Sequence, residues 1–194
     1  MHGNATEEGP GPSEAELVFQ QAVEGLFNVG LRGRVTQELR ARLREQGLDL
    51  AQRMQPAYPR QQWNAFVRVA AETLWPGEPP EAAYRALGRR LVLGYGETLV
   101  GRAIKGMLKV IGPRRTLERM TRNFRSGGNY NECSVNSVEA TEILFWINEP
   151  YIHAAYMAGA LEAALELAGA RGIHVEVAAR DARGCTYRVS WATA

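Results

Sequence analysis

Residues 173–191, IHVEVAARDARGCTYRVSW, decide the fold. Ile173, Val175, Val177 and Ala179 alternate with His174, Glu176 and Ala178, and Asp181, Arg183 and Gly184 supply turn chemistry. The chain then returns as Cys185, Tyr187, Val189 and Trp191 against Thr186, Arg188 and Ser190. A period of two marks strands with one wet and one buried face, so this stretch reads as an antiparallel hairpin. Upstream, residues 131–136 and 139–147 form a second, less regular strand pair. Between the pairs, residues 148–169 have a helix outline, with Asn148 as cap, Pro150 near the first turn and Gly169 just past the end. Ala154, Ala155, Ala158, Gly159, Ala160, Ala163 and Ala164 keep that helix thin enough to approach a sheet closely. The expected class is α+β: N-terminal helices plus a four-stranded antiparallel sheet in ββαββ order.

Residues 1–13 are polar, acidic and rich in Gly and Pro, which predicts a flexible tail before a single α+β domain spanning 14–194. Ser13 then caps an amphipathic helix through Leu17, Val18, Ala22 and Val23 that ends near Gly30. A second helix covers 35–46, with Val35, Leu39 and Leu43 at four-residue spacing. Pro56, Tyr58 and Pro59 make a rigid connection to a third helix carrying Trp63, Phe66, Val67, Ala70 and Leu74. Residues 81–111 read as one long helix or two joined ones. Gly88, Gly94, Gly96, Gly101 and Gly106 interrupt it, each costing about 1 kcal/mol relative to Ala in an exposed helix. Close packing, a kink at Gly94-Tyr95-Gly96 or room for a ligand beside the backbone would account for them.

The 194 residues carry 23 basic and 21 acidic side chains, a mild Arg-rich bias that gives no reason to expect a nucleic-acid partner. No apolar run is long enough to span a bilayer, and the start of the chain lacks the pattern of a signal peptide. A cytoplasmic location is expected. Cys133 and Cys185 both fall in predicted strands and read as buried thiols in a reducing compartment. With His2 in the tail, His153 and His174 are the histidines left for chemistry, and no HExxH, CxxC or paired-His spacing exists. No cofactor and no metal are expected, and no catalytic residue is assigned.

Two sets of residues are candidates for ligand binding. Arg114 and Arg115 follow Gly112-Pro113 where one helix stops and the next, 114–124, begins. An anion at that terminus would relieve their opposition to the helix dipole, whereas a pair with Glu118 makes them structural. Tyr95, Phe145, Trp146 and Tyr156 are aromatics that converge where helices meet sheet, as core or as the wall of a pocket. The ligand-binding candidates are therefore Arg114, Arg115, Tyr95, Trp146 and Tyr156.

In order along the chain, Leu48-Asp49-Leu50, Pro56-Ala57-Tyr58-Pro59, Trp75-Pro76-Gly77, Leu87-Gly88-Arg89-Arg90, Gly112-Pro113-Arg114-Arg115 and Asn129-Tyr130 resemble a myxobacterial paralogous family of uncharacterised single-domain proteins. The element order is more distantly similar to the ligand-binding fold of heme-nitric-oxide sensor domains, vinyl-reductase-like sensors and TRAPP subunits. Heme members of that fold carry a proximal histidine on the helix before the first strand. Helix 114–124 has none here, and no Tyr-x-Ser-x-Arg motif is present. The expected function is a non-enzymatic sensory or adaptor module that binds a small apolar or anionic ligand or a partner protein. A homodimeric scaffold and an enzyme using Cys185 or His174 are the alternatives.

Overall fold

The computed structural model describes residues 15–192; the expected tail and the Ser13 cap lie outside the described residues. The chain runs β1 (Leu17–Phe19), α1 (Gln20–Glu24), a π-helical turn (Gly25–Gly30), α2 (Gln37–Glu45), β2 (Ala57–Pro59), α3 (Arg60–Leu74), α4 (Pro80–Tyr95), α5 (Leu99–Glu118), α6 (Met120–Phe124), β3 (Cys133–Glu139), β4 (Glu142–Ile147), α7 (Ala154–Leu167), β5 (Arg171–Arg180) and β6 (Cys185–Ala192). The α+β class and the ββαββ order are as expected, and the antiparallel sheet has the strand order β3-β4-β6-β5. Ile143, Phe145 and Ile147 of β4 and Cys185, Tyr187 and Val189 of β6 are its buried face. They pack under α7, and the Tyr187 hydroxyl donates to the Ala154 carbonyl at 3.0 Å.

Several expectations need correction. Residues 17–19 are strand, not helix: β1 pairs with β2 from Leu17 opposite Pro59 to Phe19 opposite Ala57. Its other edge is also taken, since the Phe19 amide donates to the Gly127 carbonyl at 2.8 Å. The connection 56–59 is thus itself extended. The first strand of the sheet starts at Cys133, and the second at Glu142. The last helix begins at Ala154, because the Asn148 side chain bonds the Glu132 amide at 2.9 Å and the Tyr130 carbonyl at 2.8 Å. His153 caps it instead, its Nδ1 accepting from the Ala155 amide at 3.2 Å. On β5, Val175 is buried but Val177 is exposed, since this is an edge strand with register shifts on either side of that segment.

The glycine-interrupted region is two helices, and Gly88, Gly94 and Gly101 serve close packing, whereas Gly106 faces open space. A Cβ on Gly88 would lie 1.8 Å from the Tyr156 carbonyl oxygen, and one on Gly159 would lie 2.0 Å from that of Arg85, so α4 and α7 cross with backbone against backbone. Gly94 meets Gly25 and Gly30 of the π-helical turn in the same way. The expected helix 114–124 is broken at Arg119, between α5 and α6. The sharp bend is at Gly112, whose φ of 78° lies in the left-handed region that only glycine adopts freely.

Candidate functional site

Helices α4, α5 and α6 do not fill the space between them. An apolar cavity of about 120 Å³ remains, walled by Leu91 and Tyr95 of α4, Ile104 and Leu108 of α5, Met120 and Phe124 of α6, and Ala22 and Ala164 from either side. Tyr95 lines it with its hydroxyl donating to Ser126 Oγ at 2.8 Å; Ser126 in turn donates to the Asn123 carbonyl at 2.5 Å. A smaller cavity of about 70 Å³ adjoins it, sharing Ala22, Leu91, Phe124 and Gly127. Its far end is polar, formed by Tyr130, Glu149 and Tyr156.

That polar end is held by one arginine. Arg60 opens α3, where Nη1 donates to both carboxylate oxygens of Glu16 (3.0 and 2.9 Å) and Nη2 donates to the Asn148 carbonyl (2.9 Å) and to Glu149 Oε1 (3.2 Å). Its guanidinium lies 4.5 Å from the Tyr130 ring centre and 4.6 Å from that of Tyr151. Arg60 and Glu149 are both buried. Burial alone would lower the Arg60 pKa, but the Glu149 carboxylate and the bonds to Glu16 and Glu149 outweigh it and the net direction is upward.

The phenols of Tyr130, Tyr156 and Tyr187 are all pushed up, in each case chiefly by burial. A neutral form favoured in the folded state gives stability that is intact below the unfolded pKa, about 10, and is lost as pH rises beyond it. In an alkaline titration, phenolate absorption from these three groups is therefore expected only together with loss of structure. Their ionisation in a fully folded protein would contradict this.

The structure brings Tyr95 and Tyr156 to the two adjoining cavities. It sets Trp146 apart, on the outer face of the sheet between Ser134 and Thr186, because alternate residues of β4 point away from the helices. Arg114 clamps the turn between β3 and β4, donating to the Glu139 and Ala140 carbonyls at 3.1 and 3.2 Å and to Ser137 Oγ. Arg115 is exposed. His153 is occupied as a cap and stacks on Tyr84, with ring centres 5.0 Å apart; His174 lies exposed on β5 beside Glu176. Burial pushes the Cys185 thiol up, away from the thiolate a nucleophile needs. No group of three or more metal-ligating side chains occurs among the described residues, and none of their helices is long and apolar enough to cross a membrane.

The family described as "Protein of unknown function (DUF2378)" matches residues 16–192, which is every element from β1 to β6. The chain belongs to this family. No curated protein sequence matches this member of it. Among solved structures, a Cs H-NOX mutant is similar at a TM-score of 0.68 and 12% identity, covering 90% of this chain and 97% of that one. An oxygen-binding H-NOX domain related to soluble guanylate cyclases is similar at 0.65 and 14% identity, over 89% and 92% of the two chains. An H-NOX protein from S. oneidensis in the Fe(II)NO ligation state is similar at 0.59 and 15% identity, over 87% and 98%. At such identities the DUF2378 chain shares their fold, and function has to be argued from its own site.

Proposed function

We propose that this DUF2378 protein is a non-enzymatic sensory module that takes a small apolar ligand between α4, α5 and α6. The observation that carries this reading is the 120 Å³ cavity with its aliphatic and aromatic wall, lying where the chain's helical half meets α6 and α7. An apolar cavity of roughly 150 Å³ stays dry and accepts benzene or xenon in a protein of known behaviour, so this volume suits a ligand of that size. Likeness in fold to sensor domains supports a sensing role. Relay runs through α5: Ile104 and Leu108 line the cavity, while Leu99 and Val110 on the same helix are 80% and 85% exposed and available to a partner protein or a second copy. The anionic version of the ligand is disfavoured because the donors of Arg114 already serve backbone carbonyls.

Heme, which is named for some of the structural neighbours, does not fit the residues present. The cavity is well below the roughly 300–1,000 Å³ of sites for larger ligands. No histidine among the described residues lines it, and His153 and His174 are engaged elsewhere.

Benzene titrated into the purified protein is expected to bind saturably and, at ten times its Kd, to add about 1.4 kcal/mol of stability. Leu108→Trp fills the cavity and should abolish both effects while the protein stays folded. Equal benzene binding by the filled variant would overturn the reading.

A further inference from the structure

One residue lining the smaller cavity carries a polar group that packing does not explain. The Tyr156 hydroxyl is fully buried and has no hydrogen-bond partner among the described residues. An unmade bond at a buried hydroxyl costs about 1–3 kcal/mol, so the position calls for a partner that the described residues do not provide. Tyr156 lines the cavity together with Tyr130 and Glu149, and both of these lie within electrostatic reach of its phenol. Leu91 and Phe124 line both this cavity and the larger apolar one.

We propose that the two cavities form one site for a small neutral amphiphile, an alcohol or phenol, whose single oxygen accepts from the Tyr156 hydroxyl and whose apolar body lies among Leu91, Leu108 and Phe124. This rests on the apolar-ligand reading above and adds the ligand's polar end. The head group is uncharged for two reasons. A carboxylate there would face Glu149, and the nearby cation, Arg60, is already engaged by Glu16, Glu149 and the Asn148 carbonyl. A cationic head would compete with Arg60 for the same carboxylate.

Benzyl alcohol and toluene, which differ by one hydroxyl, test the site by calorimetry on the full chain. The native protein is expected to bind both, and Tyr156→Phe to weaken benzyl alcohol about tenfold while leaving toluene within about twofold, the effect of one buried neutral hydrogen bond. Tyr156→Phe removes an unpartnered hydroxyl, so it should fold, and retained toluene binding reports that it has. Equal effects on both ligands, or no effect on either, would overturn the polar assignment and leave a buried water as the partner of Tyr156. Failure of the native protein to bind toluene would overturn the apolar-ligand reading and this one with it.

Discussion

Replacing Arg60 with methionine is expected to lower stability by about 3–5 kcal/mol, because it strands the Glu149 carboxylate in the interior. Glu149 is 5% exposed, and its Oε1 accepts from Arg60 at 3.2 Å and from the Tyr151 amide at 3.0 Å. The same substitution removes the cation between the rings of Tyr130 and Tyr151 and frees the Asn148 carbonyl. Adding Glu149→Gln should recover a large part of the loss, since the buried charge is then gone as well. Glu16→Ala, which removes the partly exposed arm of the network, should cost no more than about 1 kcal/mol. Denaturant unfolding of the set checks this order. A loss for the Arg60 variant no greater than for the Glu16 variant would mean that the buried pair does not hold the polar end of the smaller cavity.

The second large effect is expected at the crossing of α4 and α7. Gly88→Ala puts a methyl group 1.8 Å from the Tyr156 carbonyl oxygen, so the helices must separate; the expected cost is about 3 kcal/mol or more. That shift would also move Tyr156 and the wall of the cavities. Gly106 is the internal control. A methyl group on Gly106 of α5 would meet nothing within 4 Å, and Gly106→Ala should stabilise by about 0.5–1 kcal/mol through helix propensity alone. Thermal or chemical melts that give the two substitutions the same sign would contradict backbone-to-backbone packing.

How far the fold can be read from sequence depends on whether the deciding contact is local. β4 and β6 are internal strands with one buried face, and their alternation states this directly. β1 and β2 are three residues each and exist only because segments about forty residues apart pair, so Leu17–Phe19 has the look of a helix's apolar face when read locally. Asn148 has the chemistry of a cap, yet its side chain is used across the fold by Tyr130 and Glu132. In the site, Tyr95 and Tyr156 stand out in the sequence as aromatics, whereas Trp146 falls on the opposite side of the sheet by strand phase. Ala22, Ile104, Leu108 and Phe124 carry no signal that separates a cavity wall from ordinary core. Arg60 carries none either: its burial is set by Glu149, 89 residues away.

Diffraction from crystals held under xenon gas tests the central claim most directly. The expected result is xenon density between α4, α5 and α6, in contact with Leu91, Ile104, Leu108 and Phe124, and its disappearance in Leu108→Trp. Crystals of the native protein that take up no xenon there, while the surrounding side chains keep their positions, would contradict a ligand-accepting interior.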